Sequence, residues 1–327
     1  MPERAISIAD VIDAADRIRG AAVRTPLLEF APLNERLGHR ALVKFEGAQH
    51  TGSFKFRGAY NRLSRIAAER RAAGVVAWSS GNHAQGVAAA ARLLGIPATI
   101  VMPADAPAIK VANTRALGAQ IVPNDRYTQS REEIATALAN ARGAVLVPSF
   151  DDPFVIAGQG TAGLEILEQA GEAGAEIGRV LVCCGGGGLV AGIATAIKAS
   201  APQVEIYSVE PEGFDDTARS LASGHRESVP SGARSICDAL LAPSPGEMTF
   251  PINRALLSGG LAVSDGEVRE AMRFAFEKMK LVVEPGGAVA MAAALSGRAP
   301  PAPGATVIVL SGSNVDPGLF RSILEDA

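Results

Sequence analysis

The sequence predicts an α/β protein built from two doubly wound parallel-sheet domains. Short apolar segments alternate with helical segments along most of the chain, and the connections between them are short, which is typical of parallel sheets covered by helices on both faces. The composition, with 48% apolar and 20% charged residues, is that of a globular protein. At 327 residues the chain can form two domains of ordinary size. We place a small domain at residues 53–147 and a large domain at residues 1–52 and 148–327.

The first alternation of strands and helices occupies the small domain. Before it, residues 8–19 show helical spacing of apolar positions, Thr25-Pro26 breaks that pattern, and residues 41–45 read as a strand. Strands are predicted at residues 74–79, 98–102, 119–122 and 144–147. Helices are predicted at residues 57–70, 82–94, 106–117 and 128–142. Each strand is thus followed closely by a helix or by the end of the unit.

A second alternation follows in the large domain. Strands are predicted at residues 179–184, 204–209 and 305–310. Helices are predicted at residues 160–169, 189–199 and 285–295. A capping box, Ser264-x-x-Glu267, opens one more helix that ends near Lys280. Residues 214–251 are rich in Ser, Gly and Pro and are predicted to be an irregular surface excursion that carries function.

Charge and hydropathy exclude several classes of function. The formal net charge is −3 with both signs interleaved, so there is neither a basic stripe for nucleic acid nor a polybasic patch for a membrane surface. No apolar run is long enough to span a bilayer. Three cysteines, Cys183, Cys184 and Cys237, lack the spacing of a metal site and are predicted to be reduced and packed. We expect a soluble, cytoplasmic protein that acts on a small molecule and forms a homodimer.

Lys55 is the candidate catalytic amine among only six lysines. It lies in the segment TGSFKFRGAY, after a Gly-Ser turn and before a predicted helix, where partial desolvation would let the amine lose its proton near neutral pH. A lysine that forms a Schiff base needs this property. Lys44 falls on a short strand. The remaining four lysines fall on predicted helices and are expected to be solvated: Lys110, Lys198, Lys278 and Lys280. From this segment alone, a surface lysine at a helix N-terminus remains the alternative interpretation.

Three junctions between a strand and the following segment are candidate ligand sites. Gly185–Gly188 separate an apolar strand from a helix, so their backbone amides can turn toward one phosphate. Ser79–His83 offer hydroxyls and amides at a similar junction, where a substrate carboxylate would fit, although from this segment alone an ordinary N-cap by Ser80 or Asn82 is the favoured interpretation. Ser311–Asn314 follow the last strand, at the edge where open α/β sheets bind ligands, or form a simple turn.

The motifs occur in a specific order: TGSFKFRGAYN, SSGNHAQGVA, IAGQGTAGLE, GGGGL, EPGGA and LSGSN. This order resembles the serine/threonine dehydratase branch of the fold-type II pyridoxal-phosphate enzymes, whose fold is tryptophan synthase β-like, and the resemblance covers nearly the whole chain. It implies pyridoxal 5'-phosphate as the cofactor, bound by Lys55 as a Schiff base. It also implies that Asn82 contacts the hydroxyl of the cofactor ring and that Ser311 faces the pyridine nitrogen.

The resemblance implies roles for further residues. The phosphate would be held by the glycine loop, Gly185, Gly186, Gly187 and Gly188, with Leu189 behind it. The rest of the cofactor would be contacted by Phe54, Glu284 and Asn314. The substrate carboxylate would be held by Ser79, Ser80, Gly81, Asn82 and His83. A divalent cation, Mg²⁺ or Ca²⁺, would be bound as in the serine racemase subgroup by Glu210, the carbonyl of Phe214 and Asp216.

The expected reaction is α,β-elimination from L-threonine or L-serine to a 2-oxo acid and ammonia. Two other reactions stay open. A serine racemase needs a second acid/base opposite Lys55, and Ser80 matches that role, whereas Phe150 in the run SFDDP favours a dehydratase. A 3-hydroxyaspartate dehydratase shares the serine and would differ in its side-chain pocket. A phosphate-ligand binding protein without turnover is the alternative of another class, and the intact Lys55 argues against it.

Several positions depart from the family pattern. Cys183-Cys184 replace plainer apolar residues, Gly286 replaces a small hydroxylated residue, Ser313 replaces a glycine, and Ala239 follows Asp238 where glycine is usual. Trp78 beside the carboxylate loop is also unusual. These departures concern the choice of substrate more than the choice of cofactor.

Overall fold

The computed structural model describes residues 5–106, 108–125 and 127–325. Its strands are β1 (Leu27–Glu29), β2 (Ala41–Phe45), β3 (Val75–Trp78), β4 (Ala98–Pro103), β5 (Gln120–Asn124), β6 (Val145–Leu146), β7 (Ile177–Cys183), β8 (Glu205–Pro211), β9 (Gly259–Val263) and β10 (Ala305–Leu310). Its α-helices are α1 (Ile8–Ile18), α2 (Ala31–Leu37), α3 (Lys55–Ser64), α4 (Asn82–Leu94), α5 (Ala108–Ala116), α6 (Arg131–Arg142), α7 (Pro153–Glu172), α8 (Gly188–Ser200), α9 (Asp216–Ser223), α10 (Thr249–Leu256), α11 (Asp265–Phe274), α12 (Pro285–Leu295) and α13 (Pro317–Glu325).

The larger sheet has six strands in the order β1-β2-β10-β7-β8-β9. All neighbours are parallel except β1, which pairs antiparallel with β2. Successive strand residues point to opposite faces, and both faces are buried. Val43 and Leu181 pack with α11 and α12 on one face, whereas Leu42 and Val180 pack with α7 and α8 on the other. This sheet is therefore doubly wound.

The smaller sheet has four parallel strands in the order β5-β4-β3-β6. Val75 and Ile100 pack with α3 and α4 on one face, and Val76 and Val101 pack with α6 on the other. The predicted fold class, two doubly wound parallel sheets, is confirmed. Helix α3 packs on both α4 and α7 and so contacts elements beside each sheet. The domain limits at residues 53–147 stay a prediction.

Several elements differ from the sequence prediction. The helix predicted at residues 57–70 ends at Ser64, where the Ser64 hydroxyl donates to the Asn61 carbonyl and a separate 3₁₀ segment, Ala68–Ala73, follows. The segment at residues 214–251 is less irregular than predicted, because it contains α9 and the start of α10. The pattern also missed α2, α13 and the two edge strands β1 and β9, which are short or only half-buried.

Candidate active site

Lys55 is the first residue of α3, at the carboxyl edge of the larger sheet. The Phe54 amide donates to the Ser311 carbonyl at 3.2 Å, and Ser53 pairs with Gly312, so this turn is tied to the end of β10. The Lys55 amine is half-buried and donates to the Ser149 carbonyl at 2.8 Å, with the ring of Phe54 5.1 Å away. Burial lowers the pKa of Lys55 from about 10.5 to about 8, because desolvation disfavours the charged amine.

A chain of buried polar groups joins three distant segments beside Lys55. The Asn82 side-chain amide donates to Oε1 of Glu284 at 2.6 Å, and the Asn314 amide donates to Oδ1 of Asn82 at 2.8 Å. Asn314 also donates to the Thr51 carbonyl at 2.7 Å. Burial raises the pKa of Glu284 to about 7, and the hydrogen bond from Asn82 and the charge of Lys55 oppose that shift. The chain therefore holds an acid that titrates near neutral pH.

The glycine loop, residues 185–188, connects β7 to α8. Gly187 is the N-cap of α8 at φ +89°, a conformation that favours glycine, and it offers no side chain to the first turn of the helix. The first amides of a helix have no acceptor within it, so they remain available to an anion. A Cβ added at Gly187 would lie 2.6 Å from the amide nitrogen of Asn253, and one at Gly186 would overlap the ring of Phe150. The loop therefore requires glycine.

Two residues that the sequence analysis missed hold this loop in place. The Thr249 hydroxyl donates to the Gly186 carbonyl at 2.7 Å, and the Asn253 amide reaches the Gly187 carbonyl at 3.5 Å. Both lie on α10, four residues apart and thus on one face of the helix. That spacing of two polar residues was the available signal. It was overlooked because α10 begins inside the segment predicted to be irregular.

The segment Ser79–His83 links β3 to α4. The Ser79 hydroxyl accepts from the Gly81 amide at 3.1 Å, and Ser80 is half-buried. The buried His83 ring donates from Nε2 to the Val147 carbonyl at 2.9 Å, so its Nδ1 carries no proton and has no partner among the described residues. Burial and the nearby charge of Lys55 lower the pKa of His83 to about 3. His83 is therefore neutral, with a free acceptor.

The predicted metal ligands lie around the turn from β8 to α9: Glu210 is on β8, Phe214 is in the turn, and Asp216 is the first residue of α9. Glu210 accepts the amides of Thr217 at 3.0 Å and Ala218 at 2.8 Å, and Oδ2 of the buried Asp216 has no partner among the described residues. Burial raises the pKa of Asp216 to about 7 and that of Glu210 well above its usual range. The described part of the chain contains no group of three or more His, Cys, Asp or Glu side chains that could hold a metal. The predicted set has only two carboxylates and a carbonyl.

A closed cluster of buried charges lies behind α3. The Arg57 guanidinium donates to both carboxylate oxygens of Glu46, at 2.8 and 2.9 Å, and to both of Glu165, at 2.7 and 2.8 Å. The Lys44 amine donates to Glu165 at 2.6 Å and to Gln169 at 2.8 Å. The two cations of this cluster, Lys44 and Arg57, thus compensate its two carboxylates. Arg57 is fully buried and lies two residues after Lys55. Lys44 is committed to this cluster and is not a free amine.

The other predicted residues lie in the same region, with one correction. Ser311 is buried at the end of β10, next to Gly312, and Leu189 is buried in the first turn of α8. All three cysteines are free and buried, as predicted. Lys110 was predicted to be solvated, and this is wrong: its side chain is only 17% exposed and is paired with Asp238. The ion pair forms because the turn at Asp238 lies against α5, which the sequence does not reveal.

The residues present fit a phosphate-bearing cofactor. Besides the glycine loop and the desolvated amine, the hydroxyls of Thr51 and Ser53 and Nδ1 of His83 are buried without a partner among the described residues, so a polar group could satisfy them. The fold and the site together indicate an α/β enzyme that uses a phosphorylated cofactor. The chain belongs to the family described as "Pyridoxal-phosphate dependent enzyme", whose model matches residues 18–312.

Particular members of the family are similar over nearly the full length. The chain is 46% identical to the L-threo-3-hydroxyaspartate ammonia-lyase of Pseudomonas sp, covering 97% of this chain and 98% of that protein. It is 40% identical to the serine racemase of Schizosaccharomyces pombe, with 94% of both covered. The crystal structure of the T.th. threonine deaminase superposes with a TM-score of 0.89 at 46% identity, covering 95% and 99% of the two chains. Across the described residues, no helix is long and apolar enough to cross a membrane.

Proposed function

We propose that the protein is a pyridoxal-phosphate-dependent ammonia-lyase that converts a β-hydroxy amino acid, L-threonine or L-serine, to a 2-oxo acid and ammonia. The observation that carries the proposal is Lys55: a half-buried amine with a pKa of about 8, held 2.8 Å from the Ser149 carbonyl and close to the buried chain through Asn82 and Glu284. The family and the ammonia-lyases among its relatives support this reaction.

Lys55 would hold the cofactor, and its amine is proposed to remove the Cα proton of the substrate. Bound cofactor supplies an electron sink for the bond that breaks at Cα. A pKa of about 8 leaves about one amine in ten neutral at pH 7, and a base of this strength is suited to proton transfer near neutral pH. The Ser149 carbonyl orients the amine by accepting its hydrogen bond. The phosphate is assigned to the glycine loop at the N-terminus of α8.

The segment Ser79–His83 is proposed to bind the substrate carboxylate, because free amides at the start of α4 favour an anion. Ser311 is proposed to face the pyridine nitrogen, as the family resemblance implies. A hydroxyl at that position would not hold a proton on the nitrogen as a carboxylate would, and the bound cofactor would then favour loss of the β-hydroxyl over return of the proton. The Asn314–Asn82–Glu284 chain would orient the cofactor ring from the side.

Two alternative reactions differ in what they demand of the site. Racemisation requires a proton donor on the face opposite Lys55, and Ser80 is the candidate for that role. The racemase among the relatives supports this alternative. Elimination from 3-hydroxyaspartate uses the same groups but also requires a positively charged side chain that binds the second carboxylate of the substrate. The relative from Pseudomonas sp supports this alternative. A binding protein without turnover would have no use for the lowered pKa of Lys55.

We further propose a divalent cation, Mg²⁺ or Ca²⁺, at Glu210, the Phe214 carbonyl and Asp216. Burying two neighbouring carboxylates without a cation is costly, and the unpartnered Oδ2 of Asp216 supplies a hard oxygen ligand. This cation would stabilise the start of α9 and take no part in the reaction at Lys55. A cytoplasmic location and a homodimer also remain proposals.

A substrate panel tests the proposed function. The cofactor-loaded protein is given L-serine, D-serine, L-threonine and both threo and erythro 3-hydroxyaspartate, and each reaction is scored for 2-oxo acid and for inverted amino acid. We expect 2-oxo acid from L-threonine or L-serine with little inversion. Fast inversion with slow elimination would favour the racemase. Turnover confined to hydroxyaspartate would support the proposed mechanism but show that the substrate is hydroxyaspartate and not L-threonine or L-serine. If no compound is turned over, the proposal is wrong.

A further inference from the structure

An ion pair connects a helix that packs on the smaller sheet to a turn beside the larger sheet. Lys110 lies on α5, which packs against β5 and α4, and its amine is hydrogen-bonded to Oδ2 of Asp238. Asp238 begins a 3₁₀ turn, Asp238–Leu240. The two partners differ in exposure, since the Lys110 side chain is 17% exposed and the Asp238 side chain is 55% exposed.

The turn that carries Asp238 lies at the edge of the candidate active site. A Cβ added at Gly185 of the glycine loop would lie 3.2 Å from Cα of Leu240, and one added at Gly286 would lie 3.1 Å from Cβ of Ala239. Both charges of the pair also act on Glu284. The negative charge of Asp238 raises the pKa of Glu284, and the positive charge of Lys110 lowers it. The ion pair therefore lies within electrostatic range of the buried acid in the polar chain beside Lys55.

We propose that Lys110 binds the second carboxylate of a dicarboxylic β-hydroxy amino acid, such as 3-hydroxyaspartate, by exchanging Asp238 for the substrate. The proposal rests on the proposed function and adds a dicarboxylic substrate class beside L-threonine and L-serine. A mostly buried ammonium must keep a counter-ion, and a substrate carboxylate supplies the same charge as Asp238 does. Asp238 is more than half exposed, so it can turn into solvent at small cost. Serine and threonine carry no second carboxylate and would leave the pair intact.

The exchange predicts opposite effects for the two partners. Removing the Lys110 charge deletes the ligand for the distal carboxylate, whereas removing the Asp238 charge deletes its competitor. If the pair only tied α5 to the turn, losing either partner would loosen the same contact and would change every substrate in the same direction. The sign of the effect therefore separates a specificity role from a structural one.

The kinetic test uses the cofactor-loaded protein and its variants Lys110→Met, Lys110→Arg and Asp238→Asn. For each, kcat/KM on L-threo-3-hydroxyaspartate is divided by kcat/KM on L-serine. We expect this ratio to fall at least tenfold in Lys110→Met, to stay near wild type in Lys110→Arg, and to rise in Asp238→Asn. Lys198→Met is the matched control, because Lys198 donates to the Pro202 carbonyl at the far end of α8 from the glycine loop. A ratio that moves in the same direction in Lys110→Met and Asp238→Asn overturns the proposal.

A binding measurement keeps the test independent of turnover. Succinate, which has two carboxylates, and butyrate, which has one, are titrated calorimetrically into the cofactor-loaded protein. We expect succinate to bind at least tenfold more tightly than butyrate, and Lys110→Met to abolish the difference. Equal affinities in the wild type would overturn the role of Lys110. Failure of the proposed function gives a different result, since no β-hydroxy amino acid would then yield a 2-oxo acid, whatever the affinity for succinate.

Discussion

Replacing Arg57 by methionine tests whether the buried charge cluster behind α3 stabilises the fold. The substitution keeps most of the apolar volume but removes a guanidinium that donates to both oxygens of Glu46 and of Glu165. Glu46 is fully buried, and Arg57 holds the pKa of its carboxyl below the usual value although burial alone would raise it. Leaving such a carboxylate without its partner costs about 3–5 kcal/mol in the free energy of unfolding.

The assay is equilibrium urea unfolding at pH 7.5, followed by far-ultraviolet circular dichroism. Arg24→Met is the matched control, because Arg24 pairs with Glu168 and Glu172 but is 46% exposed, and an exposed pair contributes only about 0–1 kcal/mol. Adding Glu46→Gln to Arg57→Met should restore part of the loss by removing the stranded charge. A loss in Arg57→Met no larger than that in Arg24→Met would refute the reasoning.

Three further predictions concern the site and its surroundings. Ser80→Ala should keep elimination from L-serine or L-threonine within about tenfold, about 1.4 kcal/mol, while turnover of D-serine collapses; equal losses on both enantiomers would contradict this. Exhaustive chelation should lower the melting temperature through loss of the cation at Glu210 and Asp216, and an unchanged melting temperature and activity would remove the metal proposal. The folded-state pKa of Glu284, about 7, lies above its usual 4.5, so folding binds protons between these values and stability falls as pH rises from about 4.5 to 7. Glu284→Gln should flatten that fall in the cofactor-free protein, measured as melting temperature against pH; an unchanged profile would show that Glu284 does not cause it.

Local sequence was sufficient to predict the bounds of those helices and strands whose apolar pattern and flanking residues indicate the same start and end. The bounds of β2, α4, α12 and β10 match the prediction, because all four are mostly buried runs, and three of them have a glycine or proline at the start: Gly81 before α4, Pro285 at the start of α12 and Gly304 before β10. Edge strands β1 and β9 escaped prediction because an edge is only partly buried and carries no continuous apolar run. The helix predicted at residues 57–70 was too long because its polar end gave no clear stop signal.

Pairs between distant residues could not be predicted from sequence spacing. Asn82 and Glu284 are 202 positions apart and meet only because the two sheets bring their carboxyl edges together. Lys110 and Asp238 meet for a similar reason. Two departures from the family pattern, Gly286 and Ala239, prove to be neighbours, so the missing side chain at one position leaves room for the added methyl group at the other. That compensation is visible only in three dimensions.

The most direct test of the central claim is to reduce the cofactor-loaded protein with borohydride and map the modified peptide. We predict that the cofactor is fixed on Lys55 alone, because Lys44 is held in the buried ion cluster and Lys110 is paired with Asp238, whereas the pKa of the Lys55 amine is lowered to about 8. Lys55→Ala should fold, lose the visible absorbance of the bound cofactor and lose essentially all elimination. An adduct on Lys44 or Lys110, or a Lys55→Ala protein that still eliminates, would contradict the account.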